Sequence, residues 1–150
     1  MMTLERSVYC AVMNVILDCN IILDMCLSRE PFTALASRVL KLAEKRRINC
    51  FISASMATDI YYITNRHIKN KAQSREILKM ILKLVSVLDV TANDVYTAIN
   101  STMPDFEDAI IAQCAERHGI NYIITRDTKD FADSRVPAIT PSDFMQKHFS

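Results

Sequence analysis

Glycine is almost missing: Gly119 is the only one in 150 residues. Phosphate loops of the Gly-x-Gly-x-x-Gly or P-loop kind need several glycines so that backbone amides can close on the phosphates, and they are excluded. Half of the residues are hydrophobic (50%), yet no apolar run reaches the roughly 18 residues that cross a bilayer. Residues 1–12 contain Glu5 and Arg6 and lack a long apolar segment with a small-residue cleavage site, so they do not read as a signal peptide. A cytosolic protein without a membrane partner is expected. The five cysteines (Cys10, Cys19, Cys26, Cys50, Cys114) include no Cys-x-x-Cys pair, which argues against a zinc site or a disulfide framework and for buried thiols. His67, His118 and His148 lie in polar or helix-terminal contexts and read as surface residues. Two phosphate chemistries also lack their residues. Aspartyl-nucleophile phosphatases want Asp-x-Asp after the first strand, where this chain has Asp18-Cys19-Asn20, and a receiver domain wants an adjacent acid pair there.

Charge is present but uneven. Residues 38–83 hold eleven Lys/Arg against three acids, whereas residues 84–150 hold five against ten. A basic region and an acidic region in one small domain suit a cation site beside a polyanion track. Within the basic region, Lys71, Arg75, Lys79 and Lys83 recur every four residues and form one stripe of a helix. A solvated face is the ordinary reading of such a stripe, and RNA backbone contact is the sharper one.

Short apolar segments alternate with amphipathic ones. Strands are predicted at residues 14–18, 48–53, 85–88, 122–125 and 138–140. Helices are predicted at 20–27, 33–47, 56–66, 71–84, from Thr91 or Asn93 to Ser101, from Asp105 to Gly119, and 141–148. Lys45-Arg46-Arg47 is expected in the last turn of the second helix, where cations complement the dipole. Ile77, Leu78, Ile81, Leu82 and Val85 form the expected apolar face of the fourth. Unbroken apolar strands joined by helices predict a parallel sheet covered on both faces. Residues 13–150 would be one domain, with residues 1–12 an extension before it.

In such sheets, sites form beyond the carboxyl ends of the strands. Asp18 ends the first strand, Asp127 follows the fourth, Asp108 opens the helix before it, and Asp59 sits early in the helix after the second. Each has an ordinary explanation. Asp18 and Asp105 could cap helices, Asp108 could be a reciprocal N3 acid, Asp127 could close an Asx-turn, and Asp59 could be surface. Together they mean more, because several ionised carboxylates in one place repel unless a cation lies between them. An all-oxygen donor set favours Mg²⁺ or Mn²⁺ over zinc, and phosphodiester hydrolysis is the chemistry such sites serve.

At these residues the chain resembles the PIN-domain family of metal-dependent nucleases, and within it the VapC-type toxins of VapBC toxin–antitoxin systems. The resemblance rests on Val15-Ile-Leu-Asp-Cys-Asn-Ile-Ile-Leu-Asp24, Ile52-Ser-Ala-Ser-Met-Ala-Thr-Asp-Ile-Tyr-Tyr62, Asp105-Phe-Glu-Asp-Ala109 and Ile124-Thr-Arg-Asp-Thr-Lys-Asp-Phe131, between about Met13 and Phe144. It implies a three-layer α/β/α sandwich on a parallel sheet of five strands. It implies Asp18, Asp59, Asp108 and Asp127 as catalytic acids, with Asp18, Asp108 and Asp127 holding the metal and Asn20, Asp105, Thr125 and Asp130 in support. It further implies an RNA substrate, an antitoxin partner and a homodimer. The second acid is often Glu in the family, so Asp59 reaches less far, and Asp127 and Asp130 compete for the fourth place. Two readings stand: a Mg²⁺/Mn²⁺-dependent endoribonuclease, and an inactive PIN-like module that binds RNA or protein, in which the Lys71–Lys83 stripe matters and the acids do not.

Overall fold

A computed structural model describes residues 12–150. The expected extension at residues 1–12 lies outside them apart from Val12. Five strands, β1 (Met13–Leu17), β2 (Ile48–Ser53), β3 (Ser86–Leu88), β4 (Tyr122–Ile124) and β5 (Ala138–Ile139), form one parallel sheet in the order β3-β2-β1-β4-β5. Val15, Ile16 and Leu17 of the central strand are fully buried, which is why β1 reads as an unbroken apolar run instead of an alternating one.

Among the described residues seven α-helices surround the sheet: α1 (Cys19–Cys26), α2 (Thr33–Glu44), α3 (Ala54–Ile68), α4 (Lys71–Leu84), α5 (Ala92–Ile99), α6 (Phe106–Arg117) and α7 (Pro141–Phe149). Packing links α1 to α2 and α3, α2 to α4 and α7, and α3 to α4, while α5 and α6 pack as a separate pair. The chain builds outward from β1 to β3, then crosses back to β4 through α5 and α6. Right-handed crossovers send those two directions over opposite faces, and the result is the expected α/β/α sandwich. Helix α6 buries Ala109, Ile110, Ile111, Ala112, Cys114 and Ala115 on most sides, and the small residues among them let it lie close to the sheet and α5.

Gly119 ends α6 at φ 65, with the Ile120 amide donating back to the Ala115 carbonyl at 3.0 Å. This is the left-handed closure that glycine makes without a Cβ clash. Helix α2 closes the same way on Arg46, at φ 57, with the Arg47 amide donating to the Leu42 carbonyl at 2.9 Å. It therefore stops at Glu44, and Lys45, Arg46 and Arg47 lie in the turn and not in the last helical turn as predicted. Ser53 caps α3 by accepting from the Met56 amide, so that helix starts at Ala54, two residues before its predicted start. Thr91 caps α5 in a reciprocal box with Asp94, and the helix ends at Ile99 instead of Ser101. In α4, Leu82 is exposed, and the buried positions are Ser74 and Ile81. The Ser74 hydroxyl donates to the Asn70 carbonyl at 2.8 Å. His118 and His148, expected on the surface, are half-buried. His118 contacts Asp89, and His148 packs edge-on against Tyr122 and beside Phe144.

Candidate active site

The chain runs from β1 to the left half of the sheet and returns to β4 on the right. The gap between the carboxyl ends of β1 and β4 is thus the switch point where α/β sheets bind ligands. Parallel pairing sets Leu17 beside Ile124, and the Asp18 amide donates to the Ile124 carbonyl at 2.9 Å. Register alone therefore puts Asp18 and the Thr125-Arg126-Asp127 segment side by side. Asp18 is the residue before α1, but its carboxylate makes no capping bond to that helix. Instead the fully buried Thr125 hydroxyl donates to Asp18 Oδ2 at 2.9 Å and accepts from the Asp127 amide at 3.1 Å. One hydroxyl thus sets the positions of two acids.

Helix α6 brings the next group. Asp105 caps it by accepting from the Asp108 amide at 2.9 Å, which leaves the Asp108 carboxylate free of capping duty. Asp59 comes from the second turn of α3. The acids share one cleft of about 350 Å³: Asp18, Asp59, Asp105, Glu107, Asp108, Asp127 and Asp130 line it, with Cys19, Asn20 and Ile63 beside them. No Lys or Arg lines it among the described residues. Asp59, Glu107, Asp108, Asp127 and Asp130 have neither a side-chain hydrogen bond nor an ion pair to any described residue.

The field inside the cleft follows from that crowding. Burial, then the charges of Asp105, Asp18, Asp130 and Glu107, push Asp108 up to about 7. Asp59 and burial raise Glu107. Burial raises Asp18 in spite of its bond from Thr125. Burial with Asp18, Asp59 and Glu107 lifts the Cys19 thiol to about 12, so it is not a thiolate nucleophile. Groups whose folded pKa lies above the unfolded value favour the folded state below the unfolded pKa, and that contribution is lost as pH rises through the folded one. The metal-free domain is therefore expected to melt at a higher temperature at about pH 5 than at about pH 7.5, with the difference shrinking when a divalent cation is added. Thermal unfolding in chelator and in MnCl₂ at both pH values checks this, and a metal-free melting temperature that rises with pH over that interval would count against it.

Among the described residues, no three His, Cys, Asp or Glu side chains are gathered at metal-ligating distance. The carboxylates of the cleft still fit a hard divalent ion: they are oxygen donors, negatively charged, and largely without partners among the described residues, while Cys19 stays a neutral thiol.

Beneath the cleft, Asp24 of α1 is fully buried and pairs with Arg126, at 2.8 Å to Nε and 3.2 Å to an Nη. Arg29 lies 3.9 Å away, and the Arg126 guanidinium stacks over the Phe32 ring at 3.9 Å. Sequence reading missed this pair and Glu107. Glu107 is recoverable from its place between Asp105 and Asp108 at a helix start, but the pair joins residues 102 apart and left no local signal. The Lys71, Arg75, Lys79 and Lys83 side chains are exposed on α4, with Lys79 paired to Glu76 at 3.0 Å, and none of the four lines the acidic cleft.

The family model for the PIN domain matches residues 14–129. The chain belongs to the PIN domain family. Solved structures share the fold at low identity. VapBC2 from Rickettsia felis, bound to a DNA fragment from its promoter, superposes with a TM-score of 0.64 at 17% identity, covering 85% of this chain and 98% of that one. A toxin–antitoxin complex from Klebsiella pneumoniae gives 0.63 at 22%, covering 85% and 97%. The sarcin-ricin loop cleaving toxin VapC20 of Mycobacterium tuberculosis gives 0.58 at 17%, covering 73% and 86%. No curated protein matches. In this PIN domain, no helix of the described residues is long and apolar enough to cross a membrane.

Proposed function

We propose that this PIN domain is a divalent-metal-dependent endoribonuclease, the toxin of a toxin–antitoxin pair. The observation that carries the proposal is the cleft itself: seven carboxylates from four segments of the chain line one space, with no Lys or Arg among the described residues that line it. Likeness to the toxin that cleaves the sarcin-ricin loop supports RNA as the substrate, and likeness to toxin–antitoxin complexes supports an antitoxin partner. Asp18, Asp108 and Asp127 would hold Mg²⁺ or Mn²⁺. When bound, the ion supplies positive charge to the scissile phosphate and makes its water more acidic. The protein's own work is separate. Thr125 fixes the Asp18 carboxylate, Asp105 anchors the start of α6 so that Asp108 points into the cleft, and Asp59 or Glu107 orients the attacking water and takes its proton. Asn20 and Asp130 line the approach. A homodimer is part of the same reading.

Purified protein is titrated with Mn²⁺ and Mg²⁺, followed by thermal shift and by cleavage of a mixed RNA pool, in parallel with Asp108→Asn. Stabilisation and cleavage that both depend on the metal, and are both lost in the variant, are expected.

A second reading has its own observation. The carboxylates are spread along the cleft and not drawn to one point, as in a module that binds RNA without cutting it. The stripe on α4 separates the two. Reversing Lys71, Arg75 and Lys83 to Glu is expected to weaken RNA affinity by about tenfold or more at low salt and to flatten its salt dependence, since each phosphate contact contributes a counterion-release term. Filter binding across a salt series measures this. Unchanged affinity and slope would remove the stripe from the RNA path.

A further inference from the structure

We infer that the cavity beside the acidic cleft is a nucleobase subsite, in which a base next to the scissile phosphate lies against the Phe32–Arg126 stack. This rests on the nuclease reading and adds to it where the substrate strand turns in. The cavity has a volume of about 410 Å³, and its lining includes Phe32, Ala36, Arg126, Asp127, Thr140 and Ser142.

Four features point to a base. Asp127 lines both this cavity and the acidic cleft, so the two adjoin across one side chain and a base seated here would neighbour the acids. The walls are mostly apolar, which suits the face of a heterocycle and not a free phosphate. The one cation is Arg126, a planar group already stacked on an aromatic ring at 3.9 Å. Guanidinium planes and aromatic rings are the surfaces on which splayed-out bases stack in single-stranded RNA. Fully buried Asp24 holds Arg126 through two of its nitrogens, so the platform is organised before any ligand arrives and its charge is already balanced. That balance also argues against phosphate as the occupant. The hydroxyls of Thr140 and Ser142 are edge partners for a base, although the Thr140 Oγ1 already accepts from the Asp143 amide.

The test needs no cleavage. Isotope-labelled protein with Ca²⁺ is titrated with AMP, GMP, CMP and UMP, and with ribose 5-phosphate as a base-free control, while backbone amide resonances are followed by NMR. At least one mononucleotide is expected to shift the amides of Phe32, Ala36 and Ser142 saturably and to bind about tenfold tighter than ribose 5-phosphate, the scale of one stacked base. Phe32→Ala removes half of the stack at a partly exposed position, and Ser142→Trp obstructs the exposed rim. Each is expected to abolish that preference while leaving the Ca²⁺ response of the acidic cleft as in wild type. Equal binding of ribose 5-phosphate and mononucleotides would overturn the subsite, as would base-dependent shifts that both variants retain. Shifts at these amides produced by an aromatic or arginine-containing peptide, and by no mononucleotide, would assign the cavity to a protein partner and also overturn it. RNA cleavage by wild type, tested separately, tells failure of the subsite from failure of the nuclease reading.

Discussion

Asp108→Asn is expected to lower metal-dependent RNA cleavage by about a thousandfold or more and, in the same protein, to raise the melting temperature of the metal-free domain. The two effects have one cause. Asp108 stands at the third position of α6, but the cap bond there is made by the Asp105 side chain to the Asp108 amide, which asparagine keeps. The carboxylate has no bond to a described residue, so its removal leaves no partner stranded. What it leaves behind is less repulsion: burial and then Asp105, Asp18, Asp130 and Glu107 hold the Asp108 pKa at about 7. A neutral side chain of the same shape escapes that cost at neutral pH. A residue that merely supported the fold would lose activity and stability together. Opposite signs in cleavage and in metal-free melting therefore mark a functional carboxylate, and the stabilising action of Mn²⁺ should shrink with the charge. Full cleavage by the variant, or loss of cleavage with a fall in melting temperature, would remove Asp108 from the site.

The features that were legible in the sequence are those whose cause is local. The apolar β1 run shows in the sequence because burial on both faces needs no alternation. Asp105 reads as a helix start because capping is a three-residue interaction. Parallel topology then carries the rest: once β1 and β4 are taken as neighbours, Asp18 and Asp127 must lie at the same edge. Several errors also have local causes. A basic cluster suits a helix end, so the pattern extends α2 through Lys45-Arg46-Arg47, whereas Arg46 takes the left-handed conformation usually given to glycine, which this chain hardly uses. The polar neighbours Gln146 and Lys147 suggest a surface place for His148, but it packs against Tyr122 of β4 and Phe144 one turn back on α7. Asp24 illustrates the limit best. It ends an apolar stretch and could have been a solvated residue of α1; only the fold shows that its partner is Arg126.

That pair gives the largest expected loss of stability by a single side chain near the site. Asp24→Ala is expected to cost about 2–3 kcal/mol in urea unfolding and to reduce cleavage by about 10–100-fold. Asp24 is fully buried and holds Arg126 at 2.8 and 3.2 Å. Alanine leaves the guanidinium without its counter-charge beneath the cleft. The cost lies at the lower end for a broken buried pair because the Arg126 side chain retains 27% exposure and can turn toward water. Turning has a consequence for the acids. Arg126 sits between Thr125, whose hydroxyl bonds Asp18 and the Asp127 amide, and Asp127 itself, so release of its side chain loosens the segment that sets two carboxylates. Asp24→Ala combined with Arg126→Leu separates the two consequences. The second substitution removes the unpaired cation, so stability should recover in part and the two changes should be strongly non-additive. Cleavage should not recover, because the restraint on the Thr125–Asp127 segment stays lost. Recovery of both, or a cost below about 0.5 kcal/mol for Asp24→Ala, would make the pair an ordinary surface contact with no part in holding the site.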